Sequence, residues 1–244
     1  MARLSPKSLF DSQSIELLYH QFADALATGP GELEIDLAEV KFARPHGVLA
    51  LVNIARHWYE QGKGQTVLVN LFPTLHAYLE RIDLFTAGDP YLVIRQNLPA
   101  EHRLSRTTVS ANLLEMLPIR GASAYVEADC LQAIERAKYI LDVWFPAHQT
   151  ERYRLCLMLS EIAENIKHSQ DRGFAIIQRY DGRGKSSKTS EVVIAVSDLG
   201  IGIEQSLISK GLHPPLVEGI ARSGATYLNF AQTNGNVCGG KYGL

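Results

Sequence analysis

Two stretches of this sequence carry oxygen-bearing side chains at spacings suited to a bound cation or nucleotide. In TERYRLCLMLSEIAENIKHS (150–169) five successive apolar residues, Leu155 to Leu159, are followed one turn later by Glu161 and Asn165. On a helix these two stand at i and i+4, on one face, and His168 at i+7 extends the same face. A helix that is apolar all round is expected to be buried all round, with Ile162 and Ile166 facing the core and Glu161 and Asn165 beside them. Carboxylate and amide oxygens on adjacent turns suit Mg²⁺, which takes oxygen ligands and keeps several waters. The plainer alternative is a helix side on which Glu161 and Asn165 are incidental neighbours of solvated Glu164 and Lys167.

The second stretch is VVIAVSDLGIGI. An apolar strand over Val192 to Val196 ends in Asp198, with Gly200 and Gly202 after it. Those glycines let a ligand approach the backbone. The carboxylate can accept a hydrogen bond from an exocyclic amine such as adenine N6. An ordinary strand-ending D-x-G turn has the same letters. A third glycine cluster, Gly239, Gly240 and Gly243 in GGKYGL, can bring backbone N–H groups against phosphates, or can simply be a flexible tail.

Other sources of chemistry are weaker. GRGKSS (182–187) would need glycine at the position of Arg179 to be a P-loop, and it lies between strands rather than opening a helix. Cys130, Cys156 and Cys238 form no C-x-x-C pair, and Cys156 is expected as a small core residue. The eight histidines have no metal-binding spacing. With a net charge of −2 there is no bulk attraction to nucleic acid or to an anionic membrane. No apolar run approaches the roughly 20 residues of a bilayer span, and MARLSPKSLF lacks the apolar region of a secretory leader, so a cytoplasmic protein is expected.

The elements that must position these residues follow from periodicity. SIELLYHQFADALA (14–27) has helical spacing, with Ser12 or Ser14 as a cap. Then come a strand in ELEIDLAEV (32–40), a turn at FARPHG, a helix ending at Gly62, a buried strand at QTVLVNL (65–71) and a helix over 75–85. That order predicts right-handed crossovers and a sheet carrying helices. After a short strand and a run of polar residues and breakers, a domain boundary is expected near 105–110. The second half opens with a strand in NLLEMLPI, followed by a helix over 130–145, the helix over 150–169, and strands over 173–180 and 191–198 joined by the polar connection DGRGKSSKTS. Expected overall is an α/β (α+β) chain with domains 1–108 and 109–244.

In order, these pieces resemble the GHKL (Bergerat-fold) ATPase family of gyrase, histidine kinases and anti-sigma-factor kinases. LSEIAENIKH resembles its N box, which implies that Glu161 positions or activates the attacking group and Asn165 binds Mg²⁺. SDLGIGI resembles the G1 box, implying adenine recognition by Asp198 and a hinge at Gly200 and Gly202. GGKYGL resembles the start of the G2 box, implying phosphate contacts from Gly239, Gly240 and Gly243, with 203–238 as the ATP lid. The implied fold is a two-layer α/β sandwich that binds ATP and Mg²⁺. The family fold continues past these glycines, so the stretch ending at Leu244 is expected to give only part of that domain.

The first half resembles a STAS domain, the fold of anti-sigma-factor antagonists, through IDLAEVKFARPHGVLALVNIARHWYEQGK. Members regulated by phosphorylation carry Ser or Thr just before the glycine, whereas here Pro45 and His46 precede Gly47. Serine phosphorylation there is not expected; His46 is either an alternative phosphate acceptor or an exposed loop histidine. Together the resemblances imply a regulatory protein with a protein partner, either a serine/threonine kinase of the anti-sigma type or a non-catalytic ATP-gated interaction switch. A histidine-kinase core would need a long dimerising helix, which the first half does not offer. A degenerate pair of interaction domains without nucleotide is the remaining alternative.

Overall fold

The computed structural model describes residues 1–95, 113–120, 126–169, 172–180 and 191–199. The architecture is mixed α/β, with a four-stranded parallel sheet and a three-stranded antiparallel one. In the first, β1 (Ala2–Leu4), β2 (Leu33–Asp36), β3 (Thr66–Val69) and β4 (Leu92–Ile94) pair in sequence order, each parallel to the next. Parallel neighbours require a crossover, and helices supply each one: α1 (Ser12–Leu26), α2 (Pro45–Glu60), and α3 (Pro73–Arg81) with the short α4 (Leu84–Ala87).

Helix α1 buries Ile15, Leu18, Phe22 and Ala25, one stripe at helical spacing. Its cap is Asp11 rather than either serine expected from the sequence. The Asp11 carboxylate accepts from the Ser14 N–H at 2.8 Å and the Ser14 hydroxyl at 2.9 Å. The helix expected over 75–85 is broken at Asp83, which is left-handed at φ 63° and separates α3 from α4.

Helix α2 departs furthest from expectation. The turn predicted at FARPHG is already helix: Arg44 is the extended N-cap and Pro45 begins the first turn, where its missing N–H costs nothing. Gly47 serves close approach. A Cβ there would stand 2.3 Å from the Leu9 carbonyl oxygen, because the chain at Leu9 bridges Ala43 and presses on this turn. Twelve of the sixteen α2 residues are buried, too many for a helix covering one sheet. The second sheet explains it.

That sheet contains β5 (Leu113–Arg120), β6 (Arg172–Tyr180) and β7 (Glu191–Asp198) in the order β5-β6-β7. One face is covered by α5 (Val126–Trp144) and α6 (Gln149–Ser169), with Leu114, Ile177, Ile140, Leu141, Trp144 and Leu159 in contact. The other face packs on the N-terminal unit. Met116, Phe174, Ile176 and Ala195 join the core containing Val48, Leu51 and Val52 of α2. Helix α2 lies against β6 and β7, so it is enclosed between two sheets. Covering on both faces accounts for the unbroken apolar run in β7, which would otherwise alternate with polar residues. Among the described residues, no helix is long and apolar enough to cross a membrane.

Candidate functional site

The two sequence-predicted carboxylates are carried by α6 and β7, and a glycine brings these elements together. Ile166, the residue after Asn165, is fully buried over Gly173 of β6. A Cβ on Gly173 would lie 2.3 Å from Ile166 Cδ1 and 2.6 Å from the Ser197 carbonyl oxygen, so only glycine admits this approach. Gly173 is in turn the register partner of Asp198. Side chains alternate along a strand, so Asp198 shares the face of Val192, Ile194 and Val196, which pack with the helical layer. The end of β7 and the second half of α6 therefore meet at one corner of the sheet. Both carboxylates are exposed. Among the described residues, no group of three or more His, Cys, Asp or Glu side chains is placed to hold a metal ion.

Burial of α6 is less complete than its sequence suggests. Leu159 and Ile166 are buried, but Leu155, Cys156 and Met158 are half-buried, and Leu157 and Ile162 are exposed. Glu161 is likewise exposed rather than held beside the core. The helix lies in an outer layer, with α5 beside it and the sheet beneath, so five consecutive apolar residues cannot all be covered. Cys156 accordingly keeps part of its surface, and its thiol is pushed up mainly by burial.

Asn165 and His168 lie within α6, and their side chains are outside the described residues, as are Gly200, Gly202, Gly239, Gly240 and Gly243. The connection 181–190 and the lid segment 203–238 also lie outside them.

The opposite face of the same sheet carries a polar and aromatic seam that sequence reasoning missed. The Arg44 guanidinium donates to both oxygens of Glu191, at 3.0 and 2.9 Å. It also lies over the rings of Phe10 (4.2 Å) and Tyr180 (5.4 Å). Phe42 stacks on Tyr78 and meets Tyr180 edge-on, both at 6.0 Å. The Tyr78 and Tyr180 hydroxyls donate to Gln178 Oε1 at 2.7 and 2.8 Å. Burial pushes the Tyr180 phenol up to about 12 and raises Tyr78 further, so both remain neutral donors at neutral pH. Further along, Arg81 pairs with the buried Glu115 at 2.7 Å, and the Met116 N–H donates to the Ile82 carbonyl at 2.9 Å.

His46, expected as a loop residue, is half-buried in the first turn of α2, and its ring nitrogen lies 3.1 Å from the Phe10 carbonyl oxygen. Burial lowers its pKa and nearby Arg44 adds to the effect, while the Phe10 contact, Asp11 and Glu191 oppose it. A separate cavity of about 150 Å³ is lined by Pro6, Lys7 and α1 residues including Gln13, Leu17 and Gln21; it contains none of the predicted site residues.

Comparison with protein-family models, with curated proteins and with solved structures returns no match.

Proposed function

We propose that this chain is a regulatory protein that binds Mg·ATP at the corner where α6 meets the end of β7. The observation supporting this reading is Ile166 seated on Gly173, the strand partner of Asp198, which sets the second half of α6 beside the end of β7. In this reading Asp198 accepts from the adenine amine, Glu161 orients an acceptor group, and Asn165 supplies an oxygen to Mg²⁺. His168 flanks the same site. Gly200 and Gly202 form the hinge, and Gly239, Gly240 and Gly243 approach the phosphates. The catalytic form is phosphoryl transfer to a serine or threonine of a separate partner protein, in which positioning and charge stabilisation dominate.

A partner in trans is favoured by where the N-terminal unit sits. That unit packs on the face of the antiparallel sheet opposite α6. His46, next but one to Arg44, is near the Glu191 end of β7, and seven strand steps of about 3.3 Å separate that end from Asp198 by roughly 23 Å. The second reading is a non-catalytic switch in which ATP changes what the chain contacts. Its support is the direct packing of the N-terminal unit on the strand bearing Asp198.

Calorimetric titration of Mg·ATP into the chain and into Asp198→Asn tests the site. Saturable binding, weakened in the variant by about 1–3 kcal/mol, is expected for a lost charge-assisted hydrogen bond. No binding by folded protein would reject the nucleotide reading. Labelled ATP then separates transfer from switching.

A further inference from the structure

We infer that the N-terminal unit positions the candidate nucleotide site from behind, through β7, with Arg44 as the positioning residue and Glu191 as its latch. This inference rests on the reading of Asp198 as the nucleotide carboxylate. Strand β7 is last in the order β5-β6-β7, so among the described residues β6 is its one strand neighbour. Its remaining supports are α6 on one face and α2 on the other. A strand held by a single ladder depends on its faces for its position. Displacing α2 therefore shifts or loosens the element that carries Asp198.

The contact is suited to adjustment. Hydrophobic packing of α2 on Ala195, Phe174 and Ile176 supplies the adhesion, and Arg44 fixes where α2 begins, since it is the N-cap residue. Its fork grips Glu191, the first residue of β7, in the two-point geometry available to a guanidinium and not to an ammonium. Phe10 and Tyr180 hold the guanidinium by its faces. Meanwhile the buried Arg44 Nε has no hydrogen-bond partner among the described residues, so part of its desolvation goes uncompensated there and the latch is weaker than a fully satisfied one. Glu191 is about half-exposed, which leaves the latch open to competition from solvent or from another protein.

The test uses the full chain in three forms: wild type, Arg44→Ala, and the charge swap Arg44→Glu with Glu191→Arg. Amide hydrogen exchange is measured across 192–198 and, as an internal reference, across β2 and β3. Arg44→Ala is expected to speed exchange in β7 by about three- to tenfold, with β2 and β3 unchanged and the swap restoring most of the difference. Where wild type binds Mg·ATP, Kd is expected to rise by a similar factor and to recover in the swap. Unchanged β7 exchange in Arg44→Ala overturns the inference, as does a Kd effect that the swap does not recover. If wild type binds no Mg·ATP, the nucleotide reading fails separately and the exchange result alone decides the coupling. If Arg44→Ala does not fold, Glu191→Ala removes the same latch from its more exposed side, and the same readouts apply.

Discussion

Ile166 of α6 rests on Gly173 of β6 so closely that a Cβ on the glycine would lie 2.3 Å from Ile166 Cδ1. This single missing methyl sets how near the helix bearing Glu161 and Asn165 comes to the strand pair ending in Asp198.

Gly173→Ala is therefore expected to destabilise the chain by about 1–3 kcal/mol, the usual effect of overpacking a filled core. Part of that loss should return in the double variant with Ile166→Val, which removes Cδ1. Urea midpoints of the two singles and the double measure the coupling, and simple additivity would show that Ile166 is not the obstacle. Full recovery is not expected, because the Ser197 carbonyl oxygen at 2.6 Å is backbone and cannot step aside.

At Gly47 the expected sign opposes helix propensity. An alanine inside a helix normally gains about 0.5–1 kcal/mol over glycine. Here its Cβ would meet the Leu9 carbonyl oxygen at 2.3 Å and the Leu9 Cβ at 2.8 Å. Gly47→Ala should lower the thermal midpoint, and a raised midpoint would mean that the Leu9 segment can move away.

His46 should make stability fall in mild acid. Its folded pKa lies below the ordinary imidazole value of 6.5, mainly through burial, so below that value the unfolded chain binds the proton more readily. The contribution is present above pH 6.5 and is lost as pH drops through the folded pKa. Chemical unfolding at intervals from pH 7.5 down to about pH 5 should give a shallower decline in His46→Gln than in wild type. Equal slopes would show that the ring is solvated in the folded state.

Much of the element order was legible because periodicity reports burial. The strands at Leu33–Asp36 and Thr66–Val69, and the helices over 130–145 and 150–169, have apolar spacing that points to one structure. Strand β1 was missed because its three residues are too few to show a period. FARPHG read as a turn because Pro and Gly punctuate turns, but here Pro45 opens a helix and Gly47 answers a contact with Leu9, 38 positions earlier. The apolar run in α6 could not reveal that Leu157 would be left uncovered, since sequence does not show how many sides a helix has neighbours on. For the site, helical spacing puts positions 161 and 165 on one side of α6, whereas the fit of Ile166 on Gly173 depends on how two separate elements pack and leaves no mark in either segment. The pairing of Arg44 with Glu191 joins residues 147 apart and leaves no local signal in either segment.

The enclosure of α2 between two sheets also has a consequence during synthesis. Its inner sheet partners lie just beside it in the chain, but its outer cover includes Phe174, Ile176 and Ala195. A ribosome adding about 5–20 residues per second needs on the order of 7–30 s to travel from α2 to β7. Throughout that interval the outer apolar face of α2 lacks its cover, while the inner face can already pack on the first sheet. The outer face of α2 is therefore closed last, by the strands that are made last.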